Sequence, residues 1–263
     1  MKHFCILFIV LNCLFTNQTN AQNLVLNPSF EDTIQCPYFG EEIDSFLYHW
    51  TAPKNFFGAN LAYNTCGTSL GIPNNLHGYQ DTCTGYGYAA IRIYHYRSDT
   101  MFNGPYSIRN YITGMLSNSL EAGKCYEVSF KYSLTEISQY SVKNFGIHFS
   151  DSIPYNRNIE IRDTLPLTPQ IEVNQYLDDS ENWVKIKRFY QAAGGENFIT
   201  LGNFDSNKNM DTLFKRHYLH PYDTYITSIY LDDIVVKEVP FQTLAELNLG
   251  GDTILCNGEE IAF

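Results

Sequence analysis

Apolar and polar side chains alternate over several short stretches of this chain, most clearly at residues 125–134, which read CYEVSFKYSL. Every second position there is apolar, beginning with Tyr126, and the positions between them include Glu127 and Lys131. Successive side chains of a β-strand point to opposite faces. The spacing therefore predicts a strand with one face in the core and the other in solvent.

The same alternation predicts further strands, at residues 144–150, 183–190 and 197–204. Turns that contain glycine precede residues 125 and 197, as expected between neighbouring strands. Residues 107–120 are compatible with a short helical crossover or with another strand. Because no stretch sustains a helical period, the predicted fold class is all-β.

Residues 85–96, GYGYAAIRIYHY, have two distinct faces. Ala89, Ile91 and Ile93 form a small aliphatic row that is predicted to face the core. The opposite row contains Tyr88, Arg92, Tyr94 and Tyr96. Flat phenol rings beside a forked guanidinium suit stacking on a sugar and hydrogen bonding to its hydroxyls.

The alternative is that this row packs structurally beneath a loop or a second sheet, since tyrosine is common in β-strands. Two other residues are candidate ligand contacts. His148 is predicted to point outward from its strand, and Trp50 is an aromatic that suits either the core or a binding platform.

The N-terminus has the order of a secretory signal peptide: Lys2, an apolar run over residues 4–15, and then small and polar residues. Cleavage is predicted after Ala21. The apolar run is too short to span a bilayer, which needs about 20 residues, and no other segment approaches that length. We therefore expect no transmembrane segment in the mature protein.

The net charge and the lack of common catalytic motifs disfavour several classes of function. With 17 basic and 28 acidic residues the net charge is −11, so nucleic acid is not an expected partner. The sequence contains neither a His-Glu-x-x-His nor a Gly-x-Ser-x-Gly motif. The adjacent carboxylates Asp178 and Asp179 would point to opposite faces of a strand, which disfavours a glycosidase pair.

Five cysteines follow the predicted cleavage site, and export would permit disulfides. The preferred pairing joins Cys36 to Cys66 and Cys83 to Cys125, because each bridge then closes a loop of about 30–40 residues. Other connectivities remain open, and a zinc site is the rival interpretation. Cys256 is left over, and its partner is expected beyond Phe263.

Several phrases together resemble the N-terminal domain of large exported surface proteins of the Bacteroidetes. They are NLVLNPSFE (23–31), the CP at Cys36, IPNNLHGYQ (72–80), GYGYAAI (85–91), LEAGKCYEVSFKYSL (120–134), PQIE (169–172), GGENFITLGNF (194–204) and YLDDIVV (230–236). The resemblance implies a jelly-roll domain over residues 22–238. It also implies a linker and the truncated start of an immunoglobulin-like or PKD-like repeat over residues 239–263.

Such proteins typically end in a gliding-motility-associated sorting domain used by the type IX secretion system, or in an OmpA-like domain. The resemblance therefore implies secretion to the cell surface, outside the outer membrane of a Gram-negative bacterium. Type IX machinery would be a partner through a C-terminal region that this sequence does not include.

More distantly, the chain resembles carbohydrate-binding modules of the galactose-binding-like jelly-roll fold, a β-sandwich of two antiparallel sheets. In that family a glutamate of the first phrase and an aspartate of the last commonly hold a structural calcium ion. The matching residues are Glu31 and Asp232, with Asp233 as the other possibility, and hard oxygen ligands suit Ca²⁺. The alternative is that these are ordinary solvated carboxylates. Residues 214–227 depart from the family pattern as a longer basic and aromatic insertion.

The predicted function is a non-catalytic module that binds a glycan or cell-surface polysaccharide. One alternative is a structural or adhesive spacer that binds protein or nothing. A second alternative is a glycan-active enzyme.

Overall fold

The computed structural model describes residues 21–38, 43–53, 60–97, 106–155, 164–206, 209–217 and 224–239. Except for Ala21, the predicted signal peptide lies outside these residues, as do Cys256 and nearly all of the predicted linker and repeat. The elements, in chain order, are a 3-10 helix (Ile43–Ser45) and the strands β1 (Trp50–Thr51), β2 (Leu61–Asn64), β3 (Asn74–Asn75), β4 (Gly78–Tyr79), β5 (Gly87–Arg97), β6 (Tyr106–Ile108), β7 (Tyr111–Met115), β8 (Cys125–Leu134), β9 (Tyr140–Val142), β10 (Phe145–Ser150), β11 (Ile171–Val173), β12 (Val184–Gln191), β13 (Phe198–Asn203), β14 (Thr212–Phe214) and β15 (Thr224–Glu238).

These strands form two main antiparallel sheets. One has the order β1-β7-β13-β10-β11, and the other has the order β12-β8-β15-β5-β2, with β6 paired to β5. Two small sheets, β9 with β14 and β3 with β4, lie beside them. The predicted all-β jelly-roll sandwich is confirmed, and residues 107–120 form strands and their connections rather than a helix. The described residues contain no apolar helix of membrane-spanning length.

The apolar rows predicted from the sequence meet between the two main sheets. Phe130 of β8 lies 5.2 Å from Phe145 of β10, and Phe149 stacks on Tyr190 of β12 at 4.6 Å between ring centroids. Ile91 and Ile93 of β5 are fully buried in the same core, as predicted. Burial of aliphatic and aromatic side chains from both sheets is the main force that holds them together.

The prediction that one face of β8 is exposed to solvent is wrong. Glu127, Ser129 and Ser133 are all buried. The hydroxyl of Ser133 donates a hydrogen bond to the side-chain oxygen of Gln80 (3.0 Å), so residues from the preceding part of the chain cover this face. Glu127 is compensated by Lys187 (2.9 Å) and Lys237 (3.4 Å) on the flanking strands. On this face of β8, Lys131 remains partly exposed.

A second, smaller core lies on the outer face of the six-stranded sheet. It consists of Leu61, Tyr63, Leu70, Tyr88, Ala90 and Tyr230, with Ile72 and Trp183 packed against them. The β3–β4 hairpin covers this core through Asn75, whose amide donates to the hydroxyl of Tyr88 (3.0 Å) and whose side-chain oxygen accepts from Tyr230 (2.9 Å).

His77 of this hairpin gives the fold a pH dependence. Burial lowers its pKa from 6.5 to about 3, and the positive charge of Arg92 acts in the same direction. The unfolded chain therefore takes up a proton between pH 6.5 and 3 that the folded protein excludes, so stability is complete above pH 6.5 and is lost as the pH falls. The slope is roughly 1.4 kcal/mol per pH unit for one proton.

We expect a His77→Gln variant to lose less stability than the wild type when urea unfolding is measured between pH 7 and pH 4. The control is Leu76→Ala, at an exposed residue of the same hairpin that carries no titratable group, and it should keep the wild-type slope. An equal slope in His77→Gln and wild type would show that His77 does not contribute.

Of the two predicted disulfides, Cys36–Cys66 is confirmed, with Cα atoms 5.9 Å apart. The pairing of Cys83 with Cys125 is wrong, because Cys83 is a free thiol whereas Cys125 is disulfide-bonded. Cys83 lies beside Lys131, whose ammonium is 3.2 Å from its sulfur. Lys131 is six residues along β8 from Cys125, or about 20 Å, whereas a disulfide needs Cα atoms within about 7 Å.

Candidate functional site

The predicted aromatic row of β5 divides into a buried and an accessible part. Tyr88 is 0% exposed and is surrounded by the rings of Tyr230 (5.0 Å), Tyr63 (5.5 Å) and Trp183 (5.6 Å). Its hydroxyl donates to the carbonyl oxygen of Gln80 (3.0 Å). Tyr88 is therefore a core residue beneath the β3–β4 hairpin, and its prediction as a ligand contact is wrong.

Trp50 also belongs to the core and not to a binding platform. It is 2% exposed, its indole N–H donates to the carbonyl oxygen of Asn27 (2.8 Å), and its ring lies 4.8 Å from that of Phe30. The indole packs on the opposite strand at Gly114, where a Cβ atom would come within 2.7 Å of the ring. A residue other than glycine at position 114 would therefore displace the tryptophan.

His148 lies on β10 and points away from the main core, as predicted, but on the other sheet from β5. Its Nδ1 is 2.9 Å from the carbonyl oxygen of Thr168, so Nδ1 carries the proton and donates. Because Ile147 and Phe149 on either side of it enter the core, the imidazole faces outward from the five-stranded sheet. The structure thus separates His148 from the tyrosines of β5.

Tyr94 and Tyr96, in contrast, lie in an open aromatic groove of about 270 Å³. We call it the tyrosine groove, and the described residues that line it are Tyr94, Tyr96, Tyr140, Thr212 and Tyr225. Strand pairing brings two of these residues together, because Tyr225 of β15 is directly opposite Tyr96 of β5. The β9–β14 pair contributes Tyr140 and Thr212.

The rings of the tyrosine groove form a floor and a wall. Tyr96 and Tyr225 are close to parallel, with centroids 6.0 Å apart and planes inclined by 22°. Tyr140 stands edge-on to Tyr225 at 5.5 Å and 82°. Tyr225 is 41% exposed, and Tyr94, Tyr96 and Tyr140 are partly exposed. Aromatic faces and hydroxyl groups are therefore accessible together.

Positive charge lies behind this groove. The guanidinium of Arg109, a fully buried residue, lies 5.5 Å from the centroid of the Tyr94 ring, which is a cation–π distance. Arg92, which was predicted as a ligand contact, is half-buried, with Nη1 3.5 Å from Nδ1 of His95. Contact with the buried Arg109 restrains the Tyr94 ring.

Phe214 and His217 extend the aromatic surface beyond the groove. Phe214 is exposed, packs edge-on against Tyr140 at 5.6 Å and lies 4.9 Å from His217. Both residues come from the insertion at residues 214–227 that departs from the family pattern. The insertion also supplies Tyr225 of the groove lining.

The acidic residues predicted to bind calcium form a clasp between the chain ends. Both carboxylate oxygens of Glu31 accept from the backbone N–H of Tyr86 (2.8 and 2.9 Å), and one also accepts from Gly87 (2.9 Å). Gly85, with φ of +58°, has no room for a Cβ atom because the Glu31 carboxylate occupies that space. We call Glu31, Asp232 and the loop Thr84–Gly87 between them the acidic clasp.

Asp232 holds the other end of the same loop. It is fully buried and accepts from the backbone N–H (3.1 Å) and hydroxyl (3.3 Å) of Thr84 and from the N–H of Asp233 (2.7 Å). Burial raises the pKa of Asp232 to about 7. Asp233, which has φ of 56°, pairs instead with Lys131 at 3.1 Å.

The carboxylate oxygens of the acidic clasp have hydrogen-bond donors as partners. Calcium takes six to eight oxygen ligands, but all four carboxylate oxygens of Glu31 and Asp232 already face N–H donors, and Asp233 faces an ammonium group. The described residues contain no group of three His, Cys, Asp or Glu side chains that could hold a metal ion. Calcium binding stays a prediction, and the acidic clasp is complete without it.

Melting experiments test the acidic clasp. Glu31→Gln removes charge-assisted hydrogen bonds that are worth roughly 1.5–3 kcal/mol, so we expect Tm to fall by about 3–12 °C. We expect a chelator to leave the Tm of both wild type and variant unchanged. The control is Glu121→Gln, at an exposed residue, which should melt like the wild type. A fall in wild-type Tm with chelator, reversed by added Ca²⁺, would establish the calcium site instead.

Comparisons with known proteins give distant structural similarities. No protein-family model and no curated protein matches the chain. Among solved structures, the CBM22-1 xylan-binding domain from Paenibacillus barcinonensis Xyn10C is 15% identical, with a TM-score of 0.38 over 80% of this chain and 91% of that domain. The K1 cleaved adhesin domain of Lys-gingipain from Porphyromonas gingivalis W83 is 12% identical, with a TM-score of 0.41 over 83% and 99%.

A third similar structure is an enzyme, a Stig cyclase from Fischerella sp. TAU, which is 10% identical with a TM-score of 0.45 over 84% of this chain and 98% of that one. At this level of similarity the comparisons assign neither a family nor a ligand. Function has to be argued from the chain's own residues.

Proposed function

We propose that this protein is a non-catalytic carbohydrate-binding module whose ligand occupies the tyrosine groove. The observation that supports the proposal is the arrangement of Tyr96, Tyr225 and Tyr140 as two near-parallel rings and one perpendicular ring at an open surface. A pyranose ring presents C–H groups on its faces and hydroxyls around its edge. Such a groove offers aromatic faces to the C–H groups of the sugar and phenol hydroxyls to the sugar hydroxyls.

Rigid side chains favour binding here. A tyrosine has few rotatable bonds, so holding it against a ligand costs little conformational entropy. Contacts within the groove hold the rings in place before any ligand arrives, since Arg109 lies behind Tyr94 and Tyr225 touches both Tyr96 and Tyr140. Preorganisation of this kind lowers the free-energy cost of association.

The groove lacks the carboxylate pair of a glycosidase among its described lining residues. The adjacent carboxylates elsewhere have structural contacts. Asp178 pairs with Lys215 at 2.9 Å, and Asp179 accepts from the backbone N–H groups of Glu181 (2.9 Å) and Asn182 (2.8 Å). These contacts support binding rather than hydrolysis.

Export to the cell surface belongs to the same proposal. The N-terminal pattern of a signal peptide and the Cys36–Cys66 disulfide both suit an oxidising compartment. Transport by the type IX machinery rests only on the resemblance to Bacteroidetes surface proteins.

A glycan array tests the function. We expect the wild-type protein to bind at least one class of glycan, equally well with and without chelator. Binding to no glycan would favour the spacer alternative. Release of reducing sugar from a bound polysaccharide would show instead that the protein is an enzyme.

A further inference from the structure

The aromatic surface beside the tyrosine groove continues along β14. Thr212 lines the groove, and Phe214 lies two residues further along the same strand. Side chains two residues apart in a strand point to the same face and are about 7 Å apart. Phe214 is also directly opposite Tyr140 of β9 and packs against its ring at 5.6 Å. Phe214 therefore shares a face of the β9–β14 pair with two residues of the groove lining.

This surface is a series of neighbouring rings. Ring centroids are 6.0 Å apart between Tyr96 and Tyr225 and 5.5 Å apart between Tyr225 and Tyr140. The next ring is that of Phe214, which is 48% exposed, and the exposed His217 lies 4.9 Å from it. Single exposed apolar residues are ordinary on protein surfaces, whereas a contiguous exposed series of them indicates an interaction site.

The segment that follows Phe214 is held in place by its neighbours. The backbone N–H groups of Lys215 and Arg216 both donate to the carbonyl oxygen of Gln139 (2.9 and 3.4 Å). The ammonium group of Lys215 also donates to the carboxylate of Asp178 (2.9 Å). These contacts position the Phe214 ring before a ligand arrives, which lowers the free-energy cost of binding.

The size of the tyrosine groove limits what it holds alone. Its volume of about 270 Å³ is below the range of about 300–1,000 Å³ that is usual for sites that enclose a small-molecule ligand. A linear glycan presents one sugar ring after another, and each ring offers C–H groups to an aromatic face. A series of aromatic rings at an open surface suits such a chain better than it suits a single sugar.

We propose that Phe214 and His217 form a second sugar subsite, so that the ligand of the tyrosine groove is a linear oligosaccharide or polysaccharide chain rather than a single terminal sugar. This inference rests on the proposed function. One end of the bound segment occupies the groove over Tyr225 and Tyr140, and the sugar units that follow contact Phe214 and His217.

The dependence of affinity on chain length tests the inference. The probes for titration calorimetry are cellobiose and cellohexaose, xylobiose and xylohexaose, and mannobiose and mannohexaose. We expect the wild type to bind the hexasaccharide of at least one series at least about tenfold more tightly than the disaccharide of that series. The reason is that a disaccharide occupies only the groove, whereas the hexasaccharide reaches both subsites.

Phe214→Ala should weaken hexasaccharide binding by about three- to tenfold, the effect of one lost aromatic contact, and leave disaccharide binding unchanged. Phe214→Tyr keeps an aromatic ring and should bind both probes like the wild type. The control is Leu213→Ala, at an exposed residue on the opposite face of β14, which should keep both affinities. Melting curves show that each variant is folded.

Failure of the second subsite and failure of the proposed function give different results. Equal affinity for disaccharide and hexasaccharide, or an equal loss of both in Phe214→Ala, would overturn the second subsite and leave carbohydrate binding by the groove intact. Binding to no glycan, on the array or in these titrations, would overturn the proposed function and the subsite with it.

Discussion

Trp50→Ala is expected to lower the free energy of unfolding by about 3–5 kcal/mol, the usual cost of removing a large buried aromatic side chain. The indole fills the space between Phe30 and Gly114 and carries a buried hydrogen bond to Asn27. Its loss leaves a cavity and removes one of the two hydrogen bonds that the Asn27 carbonyl oxygen accepts, the other coming from the backbone N–H of Phe30. Folded proteins have a free energy of unfolding of only about 5–15 kcal/mol. This substitution would therefore remove a large fraction of the stability of the protein.

Urea unfolding at neutral pH measures the Trp50→Ala effect, and Tyr48→Ala is the matched control. Tyr48 is close in sequence but exposed, so its variant should stay within about 0.5 kcal/mol of the wild type. Gly114→Val should also destabilise, because its side chain would collide with the indole. A Trp50→Ala protein as stable as Tyr48→Ala would contradict the placement of Trp50 in the core.

Tyr225→Ala is expected to weaken glycan binding by at least about tenfold, which corresponds to roughly 1.4 kcal/mol. Tyr225 contacts both Tyr96 and Tyr140, so its removal takes away the central ring of the tyrosine groove. Because the side chain is substantially exposed, stability should change little. Titration calorimetry with a glycan identified on the array gives the affinity, and a melting curve confirms that the variant is folded.

Tyr86→Ala is the control for that binding experiment. Tyr86 is the most exposed of the described large aromatic residues and lies outside the groove lining. Its variant should bind with wild-type affinity. Equal loss of affinity in the Tyr86 and Tyr225 variants would show that the groove has no special role.

The strands were predictable because their signal is local. Alternation with a period of two residues is readable within β8, β10, β12 and β13 alone, and each proved to be a strand. Burial of the outer face of β8 was not predictable in this way. It depends on Gln80, which is more than fifty residues from Ser133 in sequence.

The candidate site shows the same division between local and long-range information. Tyr88 and Tyr94 alternate as one row in the sequence, but a register shift between Thr227 and Ser228 of β15 lies between them in the structure. Tyr88 consequently lies in the second core, whereas Tyr94 packs against the main core and lines the groove. Tyr140, Thr212 and Tyr225 come from three separate segments, and strand register brings them to Tyr96. The predicted Cys83–Cys125 disulfide was wrong for the same reason. Only the folded structure shows that Cys83 lies beside Lys131, which is six residues along β8 from Cys125.

The central claim is that the tyrosine groove binds carbohydrate. Parallel glycan arrays of the wild type and the Tyr96→Ala/Tyr225→Ala double variant test it most directly, with melting curves to show that both proteins are folded. We predict that the wild type binds at least one glycan and that the double variant loses this binding. A wild type that binds no glycan, or a folded double variant with the wild-type binding profile, would contradict the claim.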